Sequence, residues 1–146
     1  TQWPAFWRAI FVCELDTMKF AIALLAGPQD PAARSALKFA EAVLAGGHQI
    51  SRLFFYRDAV HLASTLGVQP QDECDLAQRW RAFIQDNQLD AVVCIAAALR
   101  RGVLNEAEAD RWERPVANTS EPWALSGLGQ WVDALQTADR AVTFGT

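Results

Sequence analysis

Apolar and polar positions along the chain switch between two periods, and the switches mark the elements. Lys19 to Ala26 is nearly continuous in apolar residues, as in a strand covered on both faces. A Gly27-Pro28-Gln29 turn follows. Asp30 then offers an N-cap oxygen, and Pro31 takes the first helical position, where its missing N–H costs nothing. Ala33, Ala36, Leu37, Ala40, Val43 and Leu44 fall on one stripe of a helix that stops at Gly46-Gly47. Gln49 to Tyr56 reads as a second strand through Ile50, Leu53, Phe54 and Phe55. A βαβ unit of this length implies parallel strands and a right-handed crossover.

The pattern continues to the end of the chain. Arg57 to Pro70 connects, with a short helix around Ala59 to Thr65. Asp72 is placed to cap the next helix, whose inner face is Leu76, Trp80, Phe83 and Ile84. Asp90 to Cys94 is a third strand, and Ile95 to Arg101 is a helix of Ala and Leu closed by Gly102. Asn105 to Arg111 is a short polar helix, and Val116 to Thr119 a small fourth strand. Leu128, Trp131, Val132 and Leu135 define a last helix, and Ala141 to Phe144 closes the chain as a strand. Alternation of strand and helix predicts an α/β, Rossmann-like single domain, a mostly parallel sheet with helices on both faces.

Composition narrows the function. With 51% hydrophobic and 21% charged residues in 146, the chain is a folded domain with a real core. A net charge of −4 argues against direct gripping of nucleic acid. Three cysteines without paired spacing make a disulfide framework improbable and point to a reducing compartment. Residues 1–17 carry Trp3, Phe6, Trp7 and Phe11, but Arg8 interrupts the apolar run and Glu14 ends it. This segment is too short to span a bilayer and lacks the design of a secretory signal. Met18 stands directly before the first strand. Residues 1–17 are therefore expected to be an upstream leader foreign to the domain, which occupies 18–146; the alternative is an amphipathic arm that docks on a partner.

Cys94 carries the strongest chemical signal. It ends the third strand and opens the Ala-Leu helix. In an open α/β sheet, chemistry collects outside the carboxyl ends of the strands, here Gly27-Pro28, Tyr56-Arg57-Asp58 and Cys94. A thiol at a strand-to-helix junction meets unpaired backbone N–H groups and the positive end of a helix dipole, which favour its nucleophilic form. Free cysteine is also among the most buried residue types. Position alone thus leaves Cys94 between catalysis and core packing. Arg100 and Arg101 lie downstream, suited to the helix C-terminus or to a partner.

Other candidates are weaker. Cys74 would sit in a first helical turn among Asp72, Glu73 and Asp75, carboxylates that oppose a negative sulfur, so it reads as incidental. His48 follows a helix stop as a solvated turn residue, and His61 falls in the connection after the second strand. Neither has a spacing partner for a metal site, though a Cys–His pair meeting in space stays open. Ala26-Gly-Pro-Gln-Asp-Pro31 lacks both a dinucleotide fingerprint and a P-loop lysine. Ser126-Gly127-Leu128-Gly129 opens the last helix, but no convincing strand runs into it; close backbone packing explains it better than an anion site.

Several blocks together resemble a known family. They are Lys19-Phe-Ala-Ile-Ala23, Phe54-Phe-Tyr-Arg-Asp-Ala-Val60, Asp72-Glu-Cys-Asp-Leu76 leading to Trp80, Cys94-Ile-Ala-Ala-Ala-Leu-Arg-Arg-Gly-Val103 and Leu125-Ser-Gly-Leu-Gly129. In this order, from Met18 to Phe144, the chain resembles the DsrE/TusD family of bacterial sulfurtransferase subunits, most specifically in the block that starts at Cys94. The resemblance implies a DsrE-like fold and a persulfide carried on Cys94, with no metal and no organic cofactor. It also implies TusB-like and TusC-like homologous subunits in a heterohexamer, and a TusE-like acceptor. The endpoint would be 2-thiolation of the tRNA wobble uridine in the cytoplasm. Two alternatives remain open: a DsrE-type sulfur carrier in dissimilatory sulfur oxidation, and a non-catalytic scaffold whose six tryptophans serve interfaces.

Overall fold

A computed structural model describes residues 16–146. Of the leader expected over residues 1–17, residues 1–15 lie outside the described residues. The elements are β1 (Lys19–Leu24), α1 (Pro31–Ala45), β2 (Gln49–Phe55), a 3-10 segment (Arg57–Ala63), α2 (Leu76–Asp86), β3 (Ala91–Cys94), α3 (Ile95–Arg100), α4 (Glu106–Arg111), β4 (Trp123–Ser126), α5 (Gly129–Thr137) and β5 (Arg140–Phe144). The strands form one sheet in the order β4-β3-β2-β1-β5, every neighbouring pair parallel. The α/β single-domain expectation holds, and the sheet is entirely rather than mostly parallel.

Local chemistry explains the helix ends. Asp30 accepts the Ala32 N–H at 2.8 Å, with Pro31 in the first turn of α1. α1 stops where Gly47 takes a positive φ of 79°, its N–H reaching Leu44 O and that of His48 reaching Val43 O, a glycine-dependent closure. Gly102, at φ 70°, closes α3 in the same way, with Val103 N–H on Ala98 O. The cap of α2 corrects the sequence reading. Asp75, not Asp72, accepts the Gln78 N–H at 3.0 Å, because the helix starts only at Leu76. Cys74 accordingly precedes the cap instead of sitting in a first helical turn. Asp75→Ala should lower stability by about 1 kcal/mol and Asp72→Ala by less than about 0.5 kcal/mol, read as denaturation midpoints; equal losses would contradict the assignment.

Two layers cover the sheet unequally. Connections from β1 through β4 all step in one direction, so right-handed crossovers put α1, α2 and α3 on one face. Here Trp80 of α2 lies fully buried, edge-on to Phe55 at 5.3 Å, and Phe55 is edge-on to Trp123 at 4.9 Å. The return from β4 to β5 crosses β3, β2 and β1 the other way, which places α5 alone on the opposite face. That face presents Ala21 and Ala23 of β1 with Arg52 and Phe54 of β2, paired in register. Trp131 packs on Phe54 at 5.8 Å, and Arg52 donates to Gln130 O at 2.7 Å.

Two further expectations are corrected. Val116 to Thr119 is not a strand. Asn118 instead pins the connection, its side chain accepting Leu104 N–H and donating to Gly102 O, each at 2.8 Å, while its carbonyl accepts Thr65 N–H. With those groups engaged, no ladder forms there, and the fourth strand is Trp123–Ser126. A strand therefore does run into Ser126-Gly127-Leu128-Gly129. The expected last helix is present as α5, with Trp131 half-buried and Leu128, Val132 and Leu135 53%, 49% and 44% exposed. The inner side of α5 carries Ala134, which is buried, and Trp131, which is partly so. The larger aliphatic side chains point away.

Candidate functional site

The carboxyl edge of the sheet has one topological switch point. After β3 the chain turns to α3 on the three-helix face; after β4 it turns to α5 on the other. In open α/β sheets, ligands and reacting groups gather at such a point. The residues that flank it are Cys94 and Ser126, which are register partners in the β3–β4 pair. Alternation along β3 puts Cys94 on the same face as Val92, beside Phe54 of β2. The thiol thus belongs to the α5 side of the sheet at its reactive edge.

Cys94 is also the N-cap residue of α3, with no side-chain cap hydrogen bond. The first-turn amides of a helix have no intrahelical acceptors, so donors at the start of α3 lie next to the sulfur-bearing residue without being used by the thiol. The residue itself is only 4% exposed. Burial follows from the sequence: Ala91 to Val93 and Ala97-Ala98 are all buried, and Cys94 lies between these apolar blocks. Half-buried Tyr56, Ile95 and Ser126 stand at or just after the ends of β2, β3 and β4 on the same edge.

A charged clamp holds the neighbouring loop. Arg101 Nε donates to Asp58 Oδ1 at 2.8 Å, and Arg101 Nη1 donates to Ala97 O at 3.3 Å. This fastens the 3-10 segment after β2 to the end of α3. Exposed pairs of this kind add little stability, so its consequence is positional. Arg101 therefore does serve the C-terminal end of its helix, whereas Arg100 points elsewhere, into a surface groove.

Other sequence candidates lie apart from the thiol. Cys74 is exposed, with its Sγ 4.0 Å from Arg79 Nη1; the acidic reading of that turn omitted this guanidinium. His48 is half-buried, not solvated. Its Nδ1 accepts Met18 N–H at 3.3 Å, and its ring lies 5.8 Å from Phe20. His61 is exposed on the 3-10 segment, and no hydrogen bond joins either histidine to Cys94 among the described residues. Sequence reasoning missed Ser126 as the neighbour of the thiol. The signal was Trp123-Ala-Leu-Ser126, a four-residue strand whose pairing with β3 becomes legible only once the register is known.

Comparison with known proteins adds a family and several relatives. A model of the DsrE/DsrF-like family matches residues 18–144. The chain is 64% identical over 128 residues to a sulfurtransferase TusD homolog of Pseudomonas aeruginosa, covering 88% of this chain and 98% of the relative. It is 45% identical to a putative sulfurtransferase DsrE of Allochromatium vinosum, covering 88% and 99% of the two chains. Sulfurtransferase TusD of an Enterobacter species is 43% identical, with coverage of 87% and 100%. The crystal structure of the YchN protein from E. coli superposes with a TM-score of 0.67 over 88% of this chain and 99% of that one; at 17% identity this likeness concerns the fold alone.

Proposed function

Because the chain belongs to the DsrE/DsrF-like family over residues 18–144, we propose that it is a sulfurtransferase subunit of a sulfur relay with Cys94 as the carrier. The observation behind this reading is the place of Cys94 at the switch point between β3 and β4. Transfer is an exchange without net redox change. The Cys94 thiolate attacks the outer sulfur of a donor persulfide; the new S–S bond forms as the donor's S–S bond breaks, and the donor leaves as a thiolate. An acceptor thiolate then attacks the outer sulfur on Cys94 and regenerates the thiol. Neither step calls for a metal or an organic cofactor.

In this reading the acceptor is a TusE-like carrier, and the sulfur ends as the 2-thio group of a wobble uridine in cytoplasmic tRNA. No helix among the described residues is long and apolar enough to cross a membrane. Support for this pathway comes from the 64% identical TusD homolog. The DsrE relative, at 45%, supports the second reading, a sulfur carrier in dissimilatory sulfur oxidation. Deleting the gene discriminates: loss of 2-thiouridine from tRNA supports the first, and unchanged tRNA would refute it. Mapping one added sulfur atom by mass spectrometry, after incubation with a persulfide donor, tests the carrier residue itself.

The partners proposed are TusB-like and TusC-like subunits in a heterohexamer. The aliphatic stripe Leu128, Val132 and Leu135, exposed on α5, suits an interface core, where apolar residues concentrate and charge is depleted. Val132→Asp should weaken assembly at least tenfold, about 1.4 kcal/mol or more, with unchanged circular dichroism because the side chain is half exposed. Native mass spectrometry of co-expressed subunits measures it. An intact complex would remove α5 from the interface.

A further inference from the structure

A second surface feature lies at the far end of the helix that Cys94 caps. Leu66, Leu99, Leu104, Trp112 and Val116 line an open groove of about 470 Å³, and Arg100 and Arg114 stand in its wall. The apolar lining is unusually bare: Leu66 is 63% exposed, Trp112 51% and Val116 50%. Single exposed apolar residues need no explanation, but a contiguous set rimmed by charge marks a binding surface.

The floor is held in place before anything binds. Trp112 Nε1 donates to Glu108 Oε2 at 2.9 Å, and Glu108 is itself buried to nine-tenths. The Arg111 guanidinium stacks 5.4 Å from the ring centroid and reaches the other Glu108 oxygen at 3.6 Å. This fixes the half-exposed indole, and a fixed aromatic platform lowers the ordering cost of binding. Glu108 is thereby consumed. Arg100 and Arg114 are both exposed, and no carboxylate pairs with either among the described residues. Two guanidinium groups that no carboxylate among the described residues pairs, set on an apolar groove, call for an occupant that brings its own carboxylates.

We infer that this groove docks an acidic, aliphatic or aromatic peptide segment of the protein that exchanges sulfur with this chain. The peptide's apolar side chains lie on Trp112, Val116 and Leu99, and its carboxylates meet Arg100 and Arg114. α3 has six residues, so the groove end of the helix lies about 9 Å along its axis from Cys94. A segment seated there holds its protein against the helix that Cys94 caps. Assignment of the occupant to a sulfur-exchange partner rests on the proposed carrier role of Cys94; the docking chemistry itself does not.

The test is selection of a random peptide phage library on the full chain, followed by 15N chemical-shift mapping with a synthetic copy of an enriched peptide. Enriched peptides should combine Leu, Phe or Trp with two or more carboxylates and shift the amides of Leu99, Trp112 and Val116. Arg100→Glu with Arg114→Glu should weaken that peptide at least tenfold, with circular dichroism unchanged since both side chains are exposed. The Cys94→Ser chain should bind the peptide as the parent does. That retention separates the two claims, because a failed carrier role leaves docking intact. Absence of enrichment, peptides without an acidic bias, or shifts confined to another face would overturn the inference. So would a self-association of the chain that the charge reversals abolish, since the occupant would then be a second copy.

Discussion

Cys94→Ser should keep the fold and reduce persulfide loading and onward transfer to the uncatalysed background. Serine is slightly smaller than cysteine and suits the N-cap position that residue 94 occupies, where a hydroxyl can accept an N–H of the first turn of α3. The variant therefore removes the sulfur without emptying the site. Burial makes the result informative. Cys94 is 4% exposed, whereas Cys74 is open to solvent beside Arg79. If exposure alone governed loading, the added sulfur would appear on Cys74 and Cys94→Ser would be silent. If position at the switch point governs it, Cys74→Ser retains full loading and Cys94→Ser retains none. Mass spectrometry of the two single variants, after equal exposure to a persulfide donor, reads this directly, and sulfur on residue 74 alone would sink the carrier assignment.

The contrast between the two thiols also shows what sequence could and could not give. Strand-to-helix periodicity located the β3–α3 junction within one residue, because Ala-Val-Val before Cys94 and Ala-Ala-Ala-Leu after it carry unlike periods. The caps at Asp30 and the stops at Gly47 and Gly102 were legible for the same local reason. Long-range facts were not. Val116 to Thr119 has the composition of a strand, yet Asn118 spends its polar groups on Leu104, Gly102 and Thr65, partners that no local pattern reveals. The α5 stripe is amphipathic in sequence, but which side turns inward depends on the sheet face it meets, and the side of Trp131 and Ala134 packs there, with Trp131 on Phe54. Burial of the thiol belongs to the same class. A helix start and a strand end predict nearby amides from the chain alone, while accessibility depends on β2, β4 and the 3-10 segment packed around them.

The largest stability loss is expected from Trp80→Ala. This indole has no solvent exposure, meets Phe55 edge-on at 5.3 Å and Phe83 at 6.1 Å, and donates from Nε1 to Ala33 O at 3.3 Å. It ties α2 to α1 and, through the Phe55–Trp123 contact, to the β4 edge beside Cys94. Truncation leaves a cavity that surrounding elements fill only in part, a loss of about 3–5 kcal/mol. A domain of this size holds roughly 5–15 kcal/mol in total, so the variant should sit close to its unfolding threshold. Trp80→Phe keeps much of the ring volume and should recover more than half of the loss. Trp112→Ala, on the half-exposed groove floor, should cost less than Trp80→Ala by a wide margin, because most of what its ring faces is solvent. Urea denaturation midpoints order the three variants, and a Trp80→Ala loss below about 1 kcal/mol would mean that the Trp80–Phe55–Trp123 stack does not hold β4 in place. In that case the strand ends at Cys94 would be held by the Asn118 and Arg101 tethers instead, and disrupting those would then have to produce the larger change in sulfur transfer.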